Sequence, residues 1–211
     1  NMAGFAIVDD DACRAAARQE IIRRYYKAAC DYKMGNGTAD AVERIQLLMN
    51  QNKIAAEERT VIKPALEKAE KCNSTAVAIQ LENGETVTGR SSKLMSACSS
   101  AVLNAIKSMS SIHDDMLLLS PIVLAPIIKL KKEVLCEDKV KLNLGDVLTA
   151  LSICAATNPV AEKAMDMLVC LRGAEAHASC ILPEADMRYV RKLGMNMTCE
   201  PEFGTKDLYG F

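Results

Sequence analysis

The sequence predicts an α/β protein: a small mixed sheet of about four strands with helices on both faces, behind a small all-helical subdomain. Three observations carry that expectation. Apolar stripes at helical spacing recur along the chain, two short runs flank an Asn-Gly pair, and a strand–helix–strand pattern closes the C-terminal part.

Local chemistry orders the elements. Asp9, Asp10 and Asp11 offer capping oxygens and favourable negative charge at a helix start, and Cys13, Ala16, Ala17, Ile21 and Tyr25 then follow one helix face. Gly35 and Gly37 stop that helix. Thr38 caps a second, with Val42, Ile45, Leu48 and Met49 on one side, and a third runs from Ala55 to Cys72 with Pro64 in its first turns or at a kink. Residues 1–72 therefore read as the helical subdomain.

The pattern changes at Asn73. Thr75 to Leu81 and Glu85 to Gly89 flank Glu82-Asn83-Gly84, a hairpin signal. Ser91 or Ser92 is then expected to cap a helix striped by Leu94, Ala97, Cys98, Ala101, Val102, Ala105, Ile106 and Met109. Met116 to Leu119 reads as a short strand, and Ser120-Pro121 opens a helix to about Leu135. Asp146 to Ala156 is helical, and Asn158-Pro159 starts a new helix that ends at Gly173. Strand Ala178 to Leu182, helix Glu184 to Leu193 with Gly194 as terminator, and strand Met195 to Cys199 form a βαβ unit. Residues 73–200 thus form the α/β subdomain and 201–211 a tail.

The composition narrows the function classes. The chain has 211 residues, half of them hydrophobic and a quarter charged, which suits a packed domain. Lys and Arg number 26 against 27 for Asp and Glu, so there is no general attraction for a polyanion. The run Lys129-Leu130-Lys131-Lys132 is followed by Glu133 and reads as a solvated helix end, so no nucleic-acid partner is expected. Nine cysteines, an odd number with no C-x-x-C pair, read as free thiols in a reducing cytoplasm. No run approaches the ~18 apolar residues of a membrane span. The abrupt start at Asn1-Met2-Ala3-Gly4-Phe5 reads as part of something longer.

The order hairpin, long helix, strand, Ser-Pro, helix resembles the cytidine-deaminase-like three-layer fold. That family holds a zinc through a His or Cys with a neighbouring Glu early in the long helix and two cysteines after the next strand. Here the matching positions read Ser96-Ala97-Cys98-Ser99 and Pro121-Ile122-Val123-Leu124-Ala125. Cys98 is a lone thiol, Ile122 and Ala125 stand where thiolates would, and no metal site is expected.

The densest polar stretch is Arg172-Gly173-Ala174-Glu175-Ala176-His177. His177 is a candidate general base or phosphate ligand, Arg172 a candidate anion clamp, and Glu175 a candidate to orient the imidazole. The plain alternative makes Arg172 a helix-end cation, Glu175 an ion-pair partner and His177 a satisfied strand-edge histidine. His113 beside Asp114-Asp115 admits a metal site but fits an Asx-rich turn better. Arg23 and Arg24, Ser91 at a helix start, and Asn158 are candidate ligand-binding residues, each with a structural alternative in ion pairing or capping. No phosphate-cradling G-x-x-x-x-G-K-[ST] or G-x-G-x-x-G occurs, nor a G-x-S-x-G elbow or H-E-x-x-H.

Several stretches resemble the bacterial domain of unknown function 1846 family: Asn1 to Phe5, Asp9-Asp10 through Gln19 to Tyr26, Ala155 to Pro159, Arg172 to His177, and Lys192-Leu193-Gly194 through Thr198 to Pro201. The likeness runs over essentially the whole chain. It implies a longer protein whose N-terminal portion carries a Gly-rich nucleotide-type loop, with this chain as the C-terminal portion, and it implies no established activity. It also marks the Asn1 region, Asn158 and Arg172 to His177 as sites to test. Where the family has a Cys before Glu-Ala-His, this chain has Ala174, so a nucleophilic thiol is not required there.

Two functional readings follow. In one, the chain supplies substrate-binding groups to a nucleotide-dependent enzyme completed by the missing N-terminal portion, with no cofactor of its own and no turnover in isolation. In the other, a zinc-less deaminase-like module mediates homo-oligomerisation or regulation.

Overall fold

The computed structural model describes residues 9–137 and 140–204. The Asn1 region and the tail from residue 205 lie outside the described residues. In chain order the helices are α1 (Asp10–Lys33), α2 (Ala39–Gln51), α3 (Ile62–Cys72), α4 (Ala97–Met109), α5 (Pro121–Lys129), α6 (Leu144–Ala155), α7 (Pro159–Asp166) and α8 (Glu184–Leu193). The strands are β1 (Ala76–Gln80), β2 (Thr86–Arg90), β3 (Glu175–Ala178) and β4 (Asn196–Cys199). They form one mixed sheet in the order β2-β1-β3-β4, with β1 antiparallel to both neighbours and β3 parallel to β4. The expected α/β class, with helices on both faces, is what forms.

The side-chain alternation of the strands sets the two layers. Val77 and Ile79 of β1, Ala176 and Ala178 of β3, and Met197 and Cys199 of β4 enter the main core with α4, α6, α7 and α8. Ala78 faces the other way, against Val61 and Ala65 at α3. α1 and α3 lie on that second face, α1 over β4 and α3 over β1 to β3. The third helix of the N-terminal part is thus a layer of the sheet itself.

Most helix ends follow their capping chemistry. The Asp9 carboxylate accepts from the Ala12 N–H at 2.8 Å, Thr38 caps α2, Ser120 caps α5 and Asn158 caps α7 with Pro159 in first place. Gly194 takes the left-handed conformation after α8, φ 74°.

Five details differ from the sequence expectation. The buried face of α1 is Ile22, Tyr26, Ala29 and Cys30, one residue round from Ile21 and Tyr25, because only its C-terminal half reaches the sheet. The helix expected from Ala55 breaks into a short turn, Ala56–Glu58, and α3, and the break carries the Arg59 side chain inward. Ser91 and Ser92 do not cap α4. Its cap is Ser96, while Ser92 accepts from the Leu94 and Met95 N–H groups in a turn and Met95 bridges to Leu142. Met116 to Leu119 is turn rather than strand, since that segment pairs with no ladder. Finally, β3 starts at Glu175, so the polar stretch expected in a loop lies inside the sheet. Its ladders fix this: Ala78 faces His177 on one side and Thr198 faces His177 on the other.

β2 and α4 meet backbone to backbone at Gly89, where an added Cβ would lie 2.1 Å from the Ala101 nitrogen. Neither backbone can yield cheaply. Gly89→Ala is therefore expected to destabilise the protein by more than about 2 kcal/mol, read from urea unfolding midpoints.

Candidate functional site

β3 and β4 turn Glu175, His177, Asn196 and Thr198 toward α1 and α3. Into this polar row comes Arg59, 1% exposed. Its Nε donates to Thr198 Oγ1 at 2.9 Å, one Nη to Glu175, and the other to the Ala176 carbonyl at 2.9 Å and the Asn196 carbonyl at 2.5 Å. Burial pulls the guanidinium below its ordinary pKa and Glu175 pulls the other way. An arginine stays charged under those pulls, so the buried cation needs its carboxylate. Glu175 also accepts from Arg23 Nη1 and from Asn196 Nδ2, both at 2.9 Å.

His177 is fully buried, and both its ring nitrogens have partners. Nδ1 lies 2.8 Å from Thr198 Oγ1 and Nε2 lies 3.0 Å from Glu200 Oε1. A carboxylate only accepts, so Nε2 donates to Glu200. For the neutral ring, the Thr198 hydroxyl then donates to Nδ1 while accepting from Arg59 Nε. Turned toward the Ala176 carbonyl at 3.3 Å, the same hydroxyl would accept from a protonated Nδ1. Tyr26 donates to Glu200 at 3.3 Å and meets the imidazole edge-on at 5.1 Å. Burial, and then Glu200, push its phenol above the ordinary range.

The predicted residues divide. Glu175, His177 and Arg23 join this cluster, and Arg172 does not: it is exposed, and the guanidinium groups beside Glu175 belong to Arg59 and Arg23. Arg24 pairs at the surface with Glu20, 2.9 Å away. Ser91 accepts from Lys141 Nζ at 2.9 Å, away from any helix start. Asn158 caps α7 by accepting from the Val160 N–H at 3.0 Å. His113 lies exposed beside Asp115, at 3.2 Å. Arg59, Thr198, Glu200 and Asn196 were missed. The alternation Asn196, Thr198, Glu200 along one strand face was the available signal for three of them, and Arg59 had none.

A second polar region lies on the other layer. The N-termini of α6 and α8 and the end of α5 border an open cleft of about 370 Å³, lined by Asn143, Asp146, Thr149, Arg188 and Tyr189 among others. α5 ends in a π-turn, Leu130–Val134, which directs Lys131 inward between Glu137 at 3.0 Å and Asp146 at 3.1 Å. Burial alone would lower the Lys131 ammonium, but its hydrogen bonds to Glu137 and Asp146 outweigh that and hold it above its ordinary value. The buried Asp186 carboxylate accepts from the Leu144 N–H at 2.6 Å at the start of α6. Arg188 at the rim has no hydrogen-bond or ion-pair partner among the described residues.

The zinc of the deaminase likeness does not fit these residues. Among the described residues no three His, Cys, Asp or Glu side chains are grouped to hold a metal ion. Cys98 is fully buried in α4 with its thiol pushed well above 9.0 by burial, and Ile122 is exposed.

The family model described as domain of unknown function DUF1846, C-terminal, matches residues 57–209, and its N-terminal counterpart matches residues 1–53. The chain belongs to the DUF1846 family. It is 44% identical over 217 residues to UPF0371 proteins of Clostridioides difficile strain 630 and of Clostridium botulinum strain Eklund 17B. Each alignment takes in 99% of this chain and 43% of the relative, so the chain spans less than half the length of the curated relatives it matches. The two family domains meet between residues 53 and 57, just ahead of Arg59. The buried cluster therefore ties Arg23 and Tyr26 of the N-terminal domain to Arg59, Glu175, His177 and Glu200 of the C-terminal one.

Arg59→Met removes the buried cation of the cluster, leaving only the partly exposed Arg23 on Glu175, and is expected to cost about 3 kcal/mol, whereas Arg172→Ala should fall within about 0.5 kcal/mol of the parent, both from urea unfolding. A second expectation concerns pH. Burial raises the Asp186 carboxyl above its ordinary 3.8, against the lowering by the Leu144 N–H and Ser96. The folded chain then binds that proton more tightly than the unfolded one. This contribution to stability is full below pH 3.8 and lost as pH rises through the raised folded value. Asp186→Asn keeps an acceptor for Leu144 and should flatten that loss in a series of melting temperatures taken against pH.

Proposed function

We propose that this chain is a ligand-holding, non-catalytic portion of a longer DUF1846 polypeptide, with the α6–α8 cleft as its small-molecule site and the His177 cluster as a structural tie. The contrast in hydrogen-bonding capacity carries this reading. Around His177 and Arg59 the donors and acceptors are already paired, and both of these side chains are buried. At the cleft, Arg188, unpaired among the described residues, the Tyr189 hydroxyl and Asp146, engaged through Oδ2 by Lys131 and the Asn143 N–H, face a volume that suits a small metabolite. The chemistry fits a molecule carrying a carboxylate or phosphate for Arg188 and an amine or hydroxyl for Asp146. Catalytic groups, and the nucleotide implied by the family resemblance, would belong to the rest of the polypeptide.

A thermal-shift screen of amino acids, small phosphorylated metabolites and nucleotides tests this. The expected result is a stabilisation of a few degrees by one acidic class, lost in Arg188→Ala and Asp146→Asn and kept in His177→Ala despite its lower baseline. A shift that instead depends on His177 and survives Arg188→Ala would overturn it, as would no response to any ligand.

A further inference from the structure

α5 and its flanks carry a burden the rest of the surface does not. The segment Pro121 to Leu130 is apolar but for Lys129, yet of its helix only Leu124 is buried. Ile122 is 83% exposed, Leu117 before the helix 71%, and Val134 after it 68%. Beside them runs an apolar groove of about 340 Å³, with Leu94, Leu103, Leu118 and Leu124 in its walls. A contiguous apolar face of this kind on a soluble domain marks an interaction surface.

The face is held rather than slack. Ser120 fixes the start of α5, its hydroxyl accepting from the Ile122 N–H at 3.3 Å. At the other end the π-turn draws Lys131 into its pair of carboxylates, which leaves Leu130 and Val134 facing outward. Both ends of the strip are pinned by polar contacts, so the strip is preformed for a partner and pays little ordering entropy on docking.

We propose that the α5 face and its groove are the seat of the remainder of the family polypeptide. The relatives this chain matches extend over more than twice the aligned part, since the alignment takes in 43% of their length. Those relatives thus carry a long further stretch of chain, and six of the 14 large hydrophobic side chains exposed among the described residues lie between Met116 and Leu135. The inference rests on the reading of this chain as part of a longer protein.

The test co-expresses the chain with the remaining sequence of the C. difficile relative, and measures co-purification together with binding of a hydrophobic dye to the chain alone. Leu117→Lys with Ile122→Lys changes two side chains already in solvent, so its melting temperature should match the parent. Val169→Lys, at another exposed apolar position, is the control. The expected result is capture by the parent and the control, at least tenfold weaker capture by the double variant, and dye binding lost in the double variant only. Undiminished capture by the double variant overturns this surface assignment while leaving the longer-protein reading intact. Failure of the parent to capture a soluble remainder overturns both. A dimer in light scattering that the two lysines dissolve gives the face to a second copy of the chain and overturns the proposal.

Discussion

The buried guanidinium of Arg59 is the constraint around which the N-terminal helices and the sheet are arranged. A cation at 1% exposure is tolerable only if its donors meet fixed acceptors, and those acceptors are spread over two strands. Glu175 and the Ala176 carbonyl come from β3, Thr198 and the Asn196 carbonyl from β4. A slip of one residue in either strand would turn Glu175 or Thr198 to the apolar layer. The requirement also explains why the chain between α2 and α3 departs from helix: Arg59 must leave the helix line to reach the sheet. Through Glu175 it fixes Arg23, and through Thr198 and His177 it reaches Glu200 and Tyr26, which set where α1 lies.

Such a cluster adds little net stability over packed apolar side chains, but here a wrong register would leave the Arg59 charge without its partner. The division between the two faces of the sheet follows from that. One face uses polar side chains to specify assembly, and the other, built from Ala, Leu, Val and Cys, carries the packing. Burial pushes the Cys30 thiol up to about 11 and the Cys199 thiol up to about 12, so at neutral pH these side chains act as small hydrophobes.

The sequence made the class, the hairpin, the caps Asp9, Thr38, Ser120 and Asn158, and the βαβ unit legible, since each depends on neighbours a few residues away. It misplaced what depends on distant partners. The face of α1 was read from Ile21 and Tyr25, because nothing local distinguishes them from Ile22 and Tyr26; only contact with β4 does. Ser91 and Ser92 resembled caps, but the parallel bridge of Met95 with Leu142 delays α4 to Ser96. Glu175 and His177 were legible as a polar pair worth attention, yet Arg172 stood in for the true guanidinium. Arg59 lies 116 positions from Glu175 in the chain, and no spacing rule reaches that far.

The same separation has a bearing on how the molecule is made. α1, α2 and Arg59 are synthesised before the acceptors on β3 and β4 that hold Arg59, and before Glu200, which accepts from Tyr26. α1 and α2 must therefore wait, with Ile22, Met49, Ile54 and Ile62 shielded only by one another, until β3 and β4 are complete. On the growing chain α1 can pack against the sheet only after β4 has been made.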